Sequence, residues 1–335
     1  MSWQRIRGHD DLVASFKDLV NRGRLAHAYL FVGPSGVGKK LFATELAKAL
    51  LCERAGGRLD ACGQCPSCLL VDAGTHPDLL TAARPEEKND LPIETIRELT
   101  EKLYLKPARG GYKIAIIDDA DDFNEASANC FLKTLEEPPP KSLLILLATD
   151  PERQLSTIVS RCQVVRFSPL PADLISNLLV DQGLDADKAR RLARMSAGSL
   201  GLARDLTDDE FWKFRNELIA DLTQPQIDVF SLGRKWMAFV EEAGKESGQQ
   251  RHRATLVLRL LIDFLQEALQ TSTGARPATP PDASNPADKL AKQMGTERLL
   301  SLVDRCLQAD MQIDRKVQLV LLVEALADSF APAAA

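Results

Sequence analysis

Tyr29-Leu30-Phe31-Val32-Gly33-Pro34-Ser35-Gly36-Val37-Gly38-Lys39-Lys40 decides how the first half of this chain reads. A short apolar run, a turn holding three glycines and the opening of a helix follow one another without interruption. That succession is a phosphate loop, Gly-x-x-x-x-Gly-Lys-Ser/Thr, in its proper strand-to-helix setting. The glycines let backbone amides turn inward around a phosphate, and the helix amino terminus adds partial positive charge. Lys39 stands where a lysine reaches the outer phosphates. The last position departs from the pattern, because the hydroxyl that holds magnesium is replaced by Lys40. An ammonium has no lone pair to offer a metal, and its charge repels one. Gly33, Pro34, Ser35, Gly36, Val37, Gly38, Lys39 and Lys40 are therefore read as a degenerate nucleotide site, in which binding of ATP and magnesium is doubtful.

Outward from this loop, apolar runs of strand length alternate with helical patterns. Tyr29–Gly33, Asp78–Ala82, Lys113–Asp118 and Leu143–Ala148 read as strands, and Gln163–Phe167 as a fifth. Nearly continuous apolar strands separated by helices predict a parallel sheet covered on both faces. Past residue 170 the strand signal stops. Leu174, Leu178 and Leu179, then Ala189, Leu192 and Ala193, predict short helices. From about 208 on, Leu256 to Leu265, Leu299 to Leu307, and Val317 to Leu326 predict long helices, each with a broad apolar face. Arg276 to Pro286 holds four prolines and reads as a loop. The expected organisation is α/β plus all-α: a sheet domain over 1–168, a small helical domain over 169–207 and a helical domain over 208–335.

A second acidic strand end, Ile116-Ile117-Asp118-Asp119-Ala120-Asp121, supports the nucleotide-domain reading. Asp118 is placed to hold magnesium through water. Asp119 takes the position of a water-polarising glutamate but is one methylene shorter, and general-base work depends on reach.

The chain has seven cysteines, and four of them, Cys52, Cys62, Cys65 and Cys68, fall within 17 residues. Four thiolates at this spacing suit a closed, structural tetrahedral zinc site, whereas catalytic zinc keeps an open position. His76 lies nearby and reads as part of a Gly-Thr-His-Pro-Asp turn. The formal net charge is −5, which argues against strong autonomous binding to a phosphate backbone. No apolar run reaches the roughly 18 residues of a membrane helix. Met1 to Arg5 starts no signal peptide, so the expected location is cytoplasmic with no membrane partner.

Taken together, Arg24-Leu25-Ala26-His27-Ala28-Tyr29-Leu30-Phe31, the phosphate loop, Gly74-Thr75-His76-Pro77-Asp78, Leu132-Lys133-Thr134-Leu135-Glu136-Glu137-Pro138-Pro139, Asp150-Pro151-Glu152 and Ser160-Arg161-Cys162 resemble the bacterial clamp-loader branch of the AAA+ ATPases. The resemblance is dense from about residue 5 to 170. It continues thinly to Asp314-Arg315-Lys316-Val317-Gln318-Leu319, which is similar to the family's last collar helix. It implies an AAA+ sheet domain, a helical lid and a collar. It also implies a zinc module after the first loop helix.

Membership in this family implies a five-subunit ring around primed DNA, containing gamma/tau motors, a delta wrench and a rigid stator, within the DNA-directed DNA polymerase III holoenzyme. The ring loads the sliding clamp onto primer-template DNA. Motors carry an arginine after the Gly-Ser-Leu turn that contacts the outer phosphate. Here that place holds Gly201, with Arg204 three residues on. Thr149 falls at the sensor position after the fourth strand. Arg161 matches the arginine finger, a group that acts in trans on the neighbouring subunit's nucleotide. A damaged own site beside an intact finger implies the stator, with no ATPase activity of its own. The competing readings are an active gamma-type motor and an AAA+ protein of another pathway. Lys40, Asp119 and Gly201 weigh against the first, and the collar-like carboxy-terminal helices weigh against the second.

Overall fold

Five strands form one sheet in the order β2-β3-β4-β1-β5, and every pairing is parallel. The computed structural model describes residues 2–85, 87–88, 90–109, 111–275, 285–315 and 317–331. The strands are β1 (Ala28–Val32), β2 (Leu79–Ala82), β3 (Lys113–Ile117), β4 (Ser142–Ala148) and β5 (Gln163–Arg166). Each lies within a residue or so of its expected position. The proline-rich stretch read as a loop over 276–286 lies, up to residue 284, outside the described residues.

The three central strands are buried along their whole length, which explains their unbroken apolar sequence. Alternate side chains point to opposite faces of the sheet. Tyr29 and Phe31 enter one core, with Phe16, Phe42 and Phe167. Leu30 and Val32 enter the other, with Ile96, Phe131, Leu144 and Leu146. Full burial of such a side chain contributes roughly 1.5–3 kcal/mol, so neither face tolerates a slip of one residue in β1. β5 is an edge strand with three of its four residues exposed.

Helices α1 (Asp10–Asn21), α2 (Lys39–Leu51), α3 (Pro66–Asp72), α4 (Ile93–Tyr104), α5 (Glu125–Glu136) and α6 (Ser156–Val159) accompany the strands. They are followed by α7 (Ala172–Asp181), α8 (Ala186–Met195) and α9 (Leu200–Asp205). The remainder is α10 (Asp209–Leu222), α11 (Val229–Glu241), α12 (Ser247–Ser272), α13 (Pro286–Asp314) and α14 (Leu319–Asp328).

The chain divides into two compact units, Met1–Ala203 and Arg204–Ala335. The first includes the short helices expected to form a small domain of their own. In the second, α12 and α13 run antiparallel: Arg259 pairs with Asp310 at 2.5 Å, and Thr296 bonds Ser272 at 3.2 Å. Arg253 lies 4.3 Å above the Phe239 ring and also pairs with Glu210. Two details differ from the sequence expectation. α13 starts at Pro286, ahead of the expected Leu299, and is broken at Gly295, where φ is 70°, a value natural for glycine. Val317 falls before α14, whose N-cap is Gln318. Among the described residues no helix is long and apolar enough to cross a membrane.

Candidate functional site

Because all strands are parallel, the loops leaving β1, β3 and β4 emerge at one edge of the sheet, where open α/β sheets bind ligands. This brings Gly33–Lys40, Asp118 and Thr149 together. Gly36 and Gly38 have φ of 74° and 105°, the left-handed region that glycine enters without a Cβ clash. Gly38 is the N-cap of α2. His9 bonds the Val37 carbonyl at 2.9 Å, with its ring edge-on to Phe167.

The two lysines do different things. Lys39 is buried and donates to the Gly33 and Pro34 carbonyls at 2.5 and 2.8 Å. Burial lowers its pKa, against the upward pull of Asp121, Asp118 and Asp119. Lys40 turns to the acidic strand end, and its Nζ lies 3.0 Å from Asp118 Oδ2. The position from which a hydroxyl would hold magnesium thus presents a cation to the carboxylate expected to help bind that metal. Lys40 is two-thirds exposed, so the pair itself adds little stability.

Asp119 has the left-handed backbone, with φ 52°, and its N–H donates to Asp118 Oδ1 at 3.1 Å. Thr149 is tied to Asp121. Its N–H and hydroxyl both donate to Asp121 Oδ2, at 2.6 and 2.7 Å, and Gln154 reaches the other Asp121 oxygen at 3.2 Å. Asp121 is the site residue that sequence reasoning passed over. Its signal was present, as the third of four carboxylates in Asp118-Asp119-Ala120-Asp121-Asp122.

Gly201 packs directly on the phosphate loop. Its N–H donates to the Gly36 carbonyl at 3.1 Å, and a Cβ on Gly201 would stand 3.0 Å from the Gly36 Cα. A side chain here would press on the tip of the phosphate loop. Conversely, a Cβ on Gly36 would meet Ser199 Oγ at 2.3 Å and the Gly201 Cα at 3.0 Å. The hydroxyl can rotate away, but the Gly201 backbone cannot. Gly36→Ala is expected to cost about 1–3 kcal/mol, from left-handed strain plus crowding. Gly183 has φ 94° but open space around it, so Gly183→Ala should cost clearly less. Urea-unfolding midpoints of the two variants check this, and equal shifts would show that the close approach is unimportant.

Arg161 lies just past α6. It donates to Thr157 O at 2.9 Å and to Ser160 Oγ at 3.3 Å, and pairs with Glu136 Oε1 at 2.5 Å. About a third of its side chain is exposed.

The cysteine cluster forms a separate site. Cys52 caps the end of α2, and Cys65 is the N-cap of α3. The four sulfurs of Cys52, Cys62, Cys65 and Cys68 lie within 4.8 Å of one another. Cys52 and Cys65 are 3.9 Å apart, and Cys62 and Cys68 are 4.0 Å apart. Metal–sulfur bonds of about 2.3 Å at tetrahedral angles place sulfurs about 3.8 Å apart, so the donor set fits a metal ion. Backbone amides already aim at the sulfurs: Cys62 N–H at Cys52, Cys65 N–H at Cys62, and Cys68 N–H at Cys65, at 3.3 to 3.5 Å. Such donors stabilise thiolates. The module is fixed to the domain by Lys48, which pairs with Asp72 at 2.6 Å, and by Glu53, which accepts from Ser67 and Arg109. His76 is not part of the cluster: its Nδ1 accepts the Asp78 N–H at 3.0 Å, as expected of a turn residue.

A family model for "DNA polymerase III, delta subunit" matches residues 8–171. The chain is 33% identical over 297 residues to DNA polymerase III subunit delta' of Escherichia coli K12, covering 88% of this chain and 84% of that one. The Pseudomonas aeruginosa subunit delta' is 33% identical over 231 residues, 67% of this chain and 69% of the relative. Subunit tau of Escherichia coli K12 is 35% identical over 207 residues, which are 60% of this chain but only 32% of tau.

Proposed function

The chain belongs to the DNA polymerase III subunit delta' family, and from that premise we propose that it is the stator of the clamp loader. It scaffolds a ring with gamma/tau motors and a delta wrench, helps place the sliding clamp on primer-template DNA, and lends Arg161 to a neighbour's ATP site. Similarity to delta' runs through most of both chains, whereas similarity to tau stops at a third of tau.

One observation carries the stator reading: the ammonium of Lys40 sits on Asp118, the carboxylate a motor uses for magnesium. Hydrolysis needs that metal to gather the phosphate charge. Gly201 supports the same reading, because it has no side chain to reach a phosphate and its N–H is taken by the Gly36 carbonyl. Asp119, short and on a left-handed kink, is a poor substitute for the glutamate that orients water. Arg161, by contrast, keeps its charge and its planar fork, the features that suit a phosphate being transferred.

The four-cysteine site holds structural zinc in this reading. Zinc bound by four thiolates has no open position for water, so it would shape the segment after α2 and take no part in hydrolysis.

The isolated chain is accordingly expected to hydrolyse ATP no faster than background, while copurifying with the motor and wrench subunits and raising their DNA-stimulated turnover. Magnesium-dependent turnover by the isolated chain that disappears in Lys39→Ala would reverse the assignment in favour of the motor.

A further inference from the structure

We infer that Glu136 is a positioning residue for Arg161, holding the guanidinium in the attitude from which it enters a neighbouring phosphate site. This rests on the arginine-finger reading above.

The argument begins with donor arithmetic. A guanidinium carries five N–H groups. Arg161 Nη1 donates to Thr157 O and Ser160 Oγ, and Nη2 gives one bond to Glu136 Oε1. Among the described residues, Nε–H and one Nη2 proton take part in no further hydrogen bond. Glu136 holds Nη2 with a single bond and so fixes the plane of the fork, while Nε–H stays available to a phosphate oxygen.

Glu136 is well placed to be a fixed anchor. It ends α5, whose Phe131, Thr134 and Leu135 are buried. His27 Nε2–H donates to the Leu135 carbonyl at 3.1 Å, and Tyr104 Oη donates to the Glu137 carbonyl at 3.0 Å, so the backbone is tied on both sides of Glu136. Arg161 itself follows a helix of only four residues, α6. The rigid partner in the pair is thus the carboxylate. Nothing in helix chemistry favours an anion at this end, since the dipole repels it; the arginine is what makes the position favourable. Half of Glu136 and a third of Arg161 are exposed, so losing the pair leaves folding nearly untouched.

The test uses the reconstituted complex, with the phosphate-loop lysines of the other motor subunits inactivated so that MgATP turnover reports the site facing Arg161. Glu136→Ala is expected to lower kcat about tenfold, with KM for MgATP nearly unchanged, because misplacing a catalytic group weakens the transition state more than binding. Glu136→Gln, which keeps the acceptor, should restore most of the rate. Glu136→Ala added to Arg161→Ala should cost nothing further. If Arg161→Ala lowers turnover and Glu136→Ala does not, the positioning role is overturned while the finger stands. A further loss in the double variant overturns it as well, by showing that Glu136 acts on something else. If Arg161→Ala itself is silent, the finger reading falls and takes this proposal with it.

Discussion

Purified without added metal, the chain is expected to carry about one zinc ion per molecule, and Cys65→Ser to lose that ion together with ordered structure after α2. Cys65 and Cys68 are buried, and between α2 and α3 the core is supplied by little more than Leu59 and Ala61. So small a cluster orders a segment poorly without a crosslink. A structural zinc bound by thiolates supplies apparent free energies of about 10–16 kcal/mol in small zinc domains, the largest single contribution expected anywhere in this chain. The pH dependence has a definite sign. Ligation requires thiolates, so falling pH protonates sulfur and releases the ion, while neutral pH retains it. Without metal the four thiols are unequal: amides of Gln64 and Cys65 hold the Cys62 thiol down at about 6, and burial pushes Cys68 up. Metal analysis, proteolysis of the 52–72 segment and thiol titration check the prediction together. Cys162 and Cys306 are pushed up to about 12 by burial, and Cys130 is half-buried, so the titration is read as the difference between the metal-loaded and the metal-stripped chain. Negligible metal with four freely reacting thiols would reject the site.

Arg161→Ala is expected to lower hydrolysis at the one site that borrows it by about 10³–10⁵, the usual worth of an arginine finger. Turnover of the whole complex should fall only in part, because the other sites do not depend on this residue. Fold, bound metal and assembly should persist, since the exposed pair with Glu136 contributes about 0–1 kcal/mol. Arg161→Lys should fall between, delivering charge without the planar fork. DNA- and clamp-stimulated turnover of reconstituted complexes measures this. Unchanged turnover and clamp loading, with assembly confirmed, would make Arg161 an ordinary surface residue.

Both predictions begin from motifs that a reader of the sequence can find unaided. The phosphate loop, the five strands, the four cysteines and the Ser-Arg-Cys triplet are legible because each depends on neighbours a few residues away. Apolar runs become buried strands, glycines permit left-handed turns, and Cys-x-x-Cys spacing brings sulfurs onto one short loop. The departures from the nucleotide-site pattern at Lys40, Asp119 and Gly201 were legible too, but only as substitutions.

What each substitution does was decided by parts of the chain far apart in sequence. Lys40 meets Asp118 because parallel β1 and β3 flank β4 and release their loops at the same sheet edge. Gly201 packs on Gly36 because the short helices after β5 return to the phosphate loop. Thr149 answers to Asp121, and Arg161 to Glu136, across separate elements. The break of α13 at Gly295 likewise belongs to its backbone, since a lone glycine in a helical pattern does not announce whether it will kink. Local sequence therefore determined which elements form and which chemical groups they carry. Only the packing of those elements determined which groups meet, because distances between residues remote in sequence depend on the whole topology and on no short pattern within it.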